Sequence, residues 1–181
     1  MVSPTEMNLV WMDLEMSGLD PKTCVILEIA TLITDKDLNL VAQGPALVIH
    51  QADSILENMD DWNKKHHRES GLSQAVRDST TTLGEAEAQT LAFIARHCGE
   101  KSSPLCGNTI YQDRRFLIEY MPKLESYLHY RLVDVSTIKE LVKRWYGPPF
   151  QAPQKKQKHK ALDDILETIE ELKFYRQTVF K

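Results

Sequence analysis

The chain has 181 residues, 42% of them hydrophobic and 27% charged, the balance of a globular protein with a full core, and no apolar run is long enough to span a bilayer. Its net charge of −4 argues against a protein that coats long nucleic acid, which needs a broad basic face. A small phosphate-bearing substrate stays compatible with that charge where divalent metal neutralises clustered carboxylates.

In chain order, residues 8–15 (NLVWMDLE) read as a strand, and Gly18, Asp20 and Pro21 mark a turn. Residues 24–34 (CVILEIATLIT) form a second apolar run, and Asp35-Lys36-Asp37 a tight connection to a third run from Leu38 to His50. Short connections predict an antiparallel meander. The middle of the chain predicts helices. Thr82-Leu83-Gly84-Glu85 is a capping box, with Ala86, Leu91, Ile94 and Ala95 at near-helical spacing after it. Residues 104–108 read as a short strand ending in a loop, followed by a helix around 113–120 that stops near Pro122. Arg131 to Val135 is another short strand, and Ser136 caps a helix to about Tyr146. Pro148, Pro149 and Pro153 make 147–158 a loop. A last helix runs from about His159 to Arg176 with Leu162, Ile165, Leu166, Ile169 and Leu172 as its stripe. With no repeat and no linker, residues 1–181 predict one α/β domain with a core of about 8–176 and a mixed five-stranded sheet flanked by helices.

Met1 to Glu6 carry neither a secretory pattern nor the arginines of a transit peptide. Cys24, Cys98 and Cys106 form no CxxC pair and, with His97, no zinc-finger spacing. These features predict a cytoplasmic protein, or a mitochondrial one if a presequence has been trimmed.

Three groups of residues suggest chemistry. In Asp13-Leu14-Glu15 the strand alternation puts both carboxylates on one face, about 7 Å apart along the chain, together with Trp11. Two acids at the end of an apolar strand are costly unless neutralised, and divalent metal is the natural partner of such hard oxygens. His159 precedes Asp163 and Asp164 at the start of the last helix, where a histidine can take a proton from water near neutral pH. Helical periodicity does not choose between the two aspartates, which flank the predicted stripe at similar angles. Asp113 follows a Gly-Asn loop at a helix start, where an acid is favoured by the helix dipole alone. Each group singly is more often structural: exposed strand-end acids, a helix-start histidine, a capping carboxylate.

Jointly, the order Asp-x-Glu, then Asp, then His-x4-Asp resembles the DEDDh exonucleases. The segments Trp11–Leu19, Asp61–Asn63, Ser70–Leu72, Cys106–Asn108, Gln112–Leu117, His129–Arg131, Asp134–Thr137 and His159–Ile165 resemble the oligoribonuclease family specifically, from about residue 8 to 176. The resemblance implies a ribonuclease H-like exonuclease fold, a homodimer, and 3′→5′ hydrolysis of very short RNA, down to dinucleotides, to 5′ mononucleotides. It implies Asp13, Glu15, Asp113 and Asp164 as metal-site acids holding two Mg²⁺ or Mn²⁺ ions, Asp13 bridging them and Asp113 acting through water. His159 is then the general base, and the family spacing selects Asp164 over Asp163. Leu19 is expected to wedge against the bases, and Trp62 and His67 to line the pocket. Arg131, Ser136 and Thr109 are expected to grip the 5′ phosphate, although relatives often carry serine at position 109. Tyr130 is expected to reach in from the other subunit, because adjacent residues of a strand point to opposite faces and Arg131 serves its own site. The loop 147–158 matches poorly, and its Lys155, Lys156 and Lys158, with Lys160 beside His159, read as solvated charge. The alternatives are a DEDDh proofreading or trimming exonuclease on longer DNA or RNA, or a non-catalytic nucleic-acid-binding module. The filled acid and base positions argue against the module.

Overall fold

A computed structural model describes residues 7–152 and 161–180. The three leading apolar runs form β1 (Leu9–Met16), β2 (Ile26–Thr34) and β3 (Leu40–Val48), paired antiparallel in sequence as a meander. The connection from β2 to β3 is tight because the Asp35 carboxylate accepts from the amides of Asp37 and Asn39 and Leu38 takes a left-handed φ of 67°. That turn shortens the third strand at its start, relative to the predicted span from Leu38.

Three short helices follow, α1 (Asp53–Glu57), α2 (Asp61–Glu69) and α3 (Leu72–Asp78). Helix α2 buries His67 alone among its nine residues, so no apolar stripe announces it, and it starts where the Asp60 carboxylate accepts from the Asn63 amide. Helix α4 (Leu83–Ala95) begins at Thr82 with both hydrogen bonds of the predicted capping box. The chain continues through β4 (Pro104–Gly107), α5 (Tyr111–Tyr120), α6 (Pro122–Tyr127), β5 (His129–Asp134), α7 (Val135–Trp145), a 3₁₀ turn at Pro148–Phe150, and α8 (Ala161–Thr178).

Several boundaries differ from expectation for identifiable reasons. Pro122 stands at the first position of α6, where its missing N–H costs nothing, so it opens a helix as well as marking the end of α5. The cap of α7 is Asp134, whose carboxylate accepts from the Ser136 amide, and Ser136 lies inside the helix with its hydroxyl turned elsewhere. On α8 the buried residues are Ala161, Ile165, Thr168, Ile169, Glu171, Leu172 and Tyr175, while the expected Leu166 is exposed and Leu162 only half-buried.

The sheet order is β3-β2-β1-β4-β5, with β4 parallel to β1 and β5 parallel to β4. Strand β1 is therefore central and covered on both faces. Val10, Met12 and Leu14 pack in one layer with Phe93 and Ile94 of α4, Phe116 and Leu117 of α5, and Leu124 of α6. Trp11 packs in the other with Val135 and Val142 of α7 and the buried side chains of α8. Alternation along one strand thus assigns the face of Trp11, Asp13 and Glu15 to the layer that contains α8.

Candidate active site

The candidate acids meet at the C-terminal end of β1. Asp13, Glu15 and Asp164 each offer a carboxylate oxygen, and these oxygens lie within 4.8 Å of one another. Asp13 and Glu15 come from alternate positions of β1, and Asp164 comes from the first turn of α8. The buried face of α8 explains why Asp164, and not Asp163, belongs to this group. Taking Leu162 as zero and about 100° per residue, the predicted stripe centres near 335°, but Ala161, Thr168, Glu171 and Tyr175 pull the observed one to about 260°. Asp164, at about 200°, borders that face, whereas Asp163, at about 100°, lies opposite it.

Asp113 is buried at the third position of α5, where its Oδ1 accepts from the Leu14 amide at 2.9 Å. It thus backs the strand between Asp13 and Glu15 and is not one of the three converging ligand groups. The close turn that carries the chain from β4 into α5 uses Gly107, where a Cβ would lie 2.7 Å from Ile110 Cδ1 and 3.1 Å from the Met12 carbonyl oxygen.

Sequence reasoning missed Glu28, which stands opposite Glu15 in the β1–β2 ladder. Its signal is a single acid within the apolar run CVILEIATLIT, and the meander register places it there. Like charges directly opposite are unfavourable, and the effect is visible in the acids. Burial, followed by the charges of Glu28, Asp164 and Asp113, pushes the Glu15 carboxyl from 4.5 to about 8. Burial pushes Asp113 up to about 7, against the lowering effect of the Leu14 amide. Asp13 is raised well above the carboxylate range by burial first, then by Asp113, Glu15, Asp164 and Glu28. Such a group holds protons tightly until a cation replaces them, and its all-oxygen donor set fits a hard divalent ion.

The residues expected to hold substrate fall into separate clusters. Thr109 and Ser136 meet, with their hydroxyls 3.1 Å apart, beside the first turn of α7. Thr109 has a left-handed φ of 53°, unusual for a β-branched residue, and is held there by its amide donating to Asp134 Oδ1 and Ser136 Oγ, each at 3.0 Å. Asn108 ties this corner to α8: its Nδ2 donates to Thr168 Oγ1 at 2.8 Å, and that hydroxyl donates to the Asp164 carbonyl at 2.7 Å.

Leu19 is 72% exposed, and its carbonyl accepts from Gln112 Nε2 and Arg115. Trp62 is 68% exposed and stacks on His66 with 4.7 Å between ring centroids and 9° between planes. His67, expected in the pocket lining, is 2% exposed and lies beneath Glu15, because its Nε2 is tied to the Met16 carbonyl at 2.9 Å.

Tyr130 and Arg131, adjacent on β5, meet at the ends of their side chains. Arg131 Nε donates to the Tyr130 hydroxyl at 3.1 Å, and the guanidinium lies 5.4 Å from the ring centroid. Both are at the surface, where two long side chains can bend back over an edge strand and meet. His159 and the lysines at 155, 156, 158 and 160 lie outside the described residues.

Comparison with known proteins converges on one group. The RNase_T family model, described as Exonuclease, matches residues 10–172. The oligoribonuclease of Shewanella oneidensis is 55% identical over 174 residues, covering 96% of each chain. That of Pseudomonas aeruginosa PAO1 is 55% identical over 174 residues, covering 96% of this chain and 97% of its own. Among solved structures, exonuclease I of Methylocaldum szegediense superposes with a TM-score of 0.71 at 16% identity over 96% of this chain. E. coli exonuclease I with a 5cy-dT13 oligonucleotide gives 0.73 at 14% over 97%. This chain spans 41% and 42% of those two, and the likeness is one of fold.

Proposed function

The chain belongs to the oligoribonuclease family of 3′→5′ exoribonucleases, and on that premise we propose that it removes nucleotides from very short RNAs, down to dinucleotides, at the acid cluster on β1. The observation that carries this reading is the meeting of Asp13, Glu15 and Asp164 within 4.8 Å, where burial and mutual repulsion leave the carboxylates in need of a cation. Asp13, Glu15 and Asp164 would hold two Mg²⁺ or Mn²⁺ ions, with Asp113 supporting them through water. Bound there, divalent ions supply Lewis-acid activation of water and neutralise charge on the scissile phosphodiester.

The chain's own residues then divide the remaining work. His159 accepts a proton from the attacking water, which adds to phosphorus as the 3′ oxygen of the preceding nucleotide departs. The hydroxyls of Thr109 and Ser136, which meet beside the Asp134-capped start of α7, would turn to a 5′ phosphate. Arg131 adds a charge-assisted contact once it leaves Tyr130. Leu19 and Trp62, both standing out from the surface, offer apolar and aromatic area for two bases. A phosphate site at a fixed distance from the acids favours short fragments, because a longer chain must continue through it. The homodimer supplies Tyr130 to the neighbouring site, and the reaction is placed in the cytoplasm.

The test is hydrolysis of 5′-labelled RNAs of two to ten nucleotides with Mg²⁺, with Mn²⁺ and with EDTA. Dinucleotides should be cleaved fastest and only with metal. Equal or faster cleavage of ten-nucleotide RNA would refute the length preference, and full activity in EDTA would refute the metal site.

A further inference from the structure

We propose that Glu15, His66 and His67 form a second cation site, selective for Zn²⁺ and similar borderline ions over Mg²⁺, and that filling it inhibits the enzyme by drawing Glu15 away from the acid cluster. The three residues each offer a ligand atom, and these atoms lie within 4.8 Å of one another.

The buried histidine points to a ligand. His67 Nε2 lies 2.9 Å from the Met16 carbonyl, which can only accept, so Nε2 carries the ring proton. Nδ1 of the neutral ring is then a lone pair. It is buried, has no hydrogen-bond partner among the described residues, and lies 3.9 Å from Glu15 Oε2. The two atoms face each other at a separation too long for a direct hydrogen bond. One ion spans that gap with metal–ligand bonds of roughly 2.0–2.2 Å each.

Donor chemistry sets the selectivity. Two imidazoles with one carboxylate suit Zn²⁺, Co²⁺ or Ni²⁺, whereas Mg²⁺ takes oxygen ligands and keeps its waters. Asp13, Glu15 and Asp164 make the opposite, all-oxygen set. Glu15 is common to both, so occupancy of the histidine site competes with occupancy of the acid cluster. The stacking of Trp62 on His66 supplies an optical reporter of the ion's arrival. The binding stands without the nuclease reading; the inhibition rests on it.

The experiment uses the full chain carrying Asp13→Asn and Asp164→Asn, which dismantles the acid cluster and keeps Glu15. Zn²⁺ titrated by calorimetry should bind at one equivalent and change tryptophan emission, while Mg²⁺ does neither. Adding His66→Gln should weaken Zn²⁺ by roughly 100-fold, at least the loss caused by removing a group that supports a ligand. Trp62→Phe should silence the emission change and keep the binding. In the otherwise unaltered protein, Zn²⁺ added to the Mg²⁺-driven reaction should lower the rate, and His66→Gln should shift that inhibition to higher Zn²⁺. No Zn²⁺ binding in the double variant, or binding unchanged by His66→Gln, would overturn the site. Tight, His66-dependent Zn²⁺ with no loss of rate would overturn the competition, and the RNA length series would still judge the nuclease reading separately.

Discussion

Glu15 makes the metal-free protein a pH sensor with a defined sign. Its folded carboxyl is raised from 4.5 to about 8, and its side chain is only 17% exposed, so solvent screening is limited. Between those values the folded state holds a proton that the unfolded state has released, so stability falls as pH rises. At about 1.4 kcal/mol per pH unit, raising the pH from 6.5 to 8 should cost roughly 2 kcal/mol from this group alone. His67 works in the opposite sense: its pKa is lowered by burial, so its contribution rises with pH and is complete by about 6.5. The window above that value therefore isolates the acids. For a chain of this length the loss corresponds to a fall in Tm of about 4–8 °C. Thermal melts in EDTA at pH 6.5, 7.2 and 8.0 should show it. Mn²⁺ should cancel it by binding the ionised acids of the folded state, and Glu15→Gln should reduce the slope, leaving the part that Asp13 and Asp113 contribute. A flat profile in EDTA, or the same slope in Glu15→Gln, would refute the assignment of strain to this cluster.

Asp164→Ala should abolish hydrolysis and weaken Mn²⁺ binding in calorimetry, while Asp163→Ala should keep both within a few-fold; equal damage would contradict the orientation of α8. His159→Ala should lower the rate by roughly 10²–10⁴-fold, leave metal and dinucleotide binding largely intact, and remove one limb of the pH–rate profile. An unchanged profile would remove it from the proton transfer. Tyr130→Ala should weaken dinucleotide binding by on the order of 1–3 kcal/mol if one stacking contact disappears. Mixing it with inactive Asp164→Ala subunits should restore activity, because each heterodimer then keeps one intact site. Verified heterodimers without recovered activity would place Tyr130 in its own subunit's site.

How much of this was legible in the sequence depended on whether a signal was local. The meander could be read because strands β1 to β3 are apolar, consecutive and closely connected, and α4 because its cap is written in four adjacent residues. Helices α1 to α3 are short, and the polarity of α2 leaves no stripe, so neither periodicity nor length reveals them. Asp13 and Glu15 were legible as a pair from strand alternation. Asp113 reaches them through a hydrogen bond to a residue 99 positions away, and no local pattern encodes that contact. The choice of Asp164 came by resemblance, although the helix held the answer. Counting Thr168 and Tyr175 as core residues, which a purely aliphatic stripe omits, turns the buried face toward it. Tyr130 and Arg131 meet at their ends because alternation fixes where Cβ points, not where a long surface side chain ends.

The same local logic reconciles an acidic chain with an anionic substrate. A protein that tracks long RNA needs attraction spread along a backbone. Here the strongest charges are gathered at one end of β1, and they repel each other enough to retain protons near neutral pH. Two divalent ions in that cluster would bring the formal charge from −4 to zero. The change would occur at the acid cluster itself, leaving the rest of the surface uninviting to long nucleic acid. Attraction would then be confined to a phosphodiester close enough to be cut. On this account short-substrate preference has an electrostatic component beside the steric one, and the two respond differently to salt. Added salt should weaken binding of a dinucleotide far less than it weakens a protein with an extended basic face, because few phosphates are engaged.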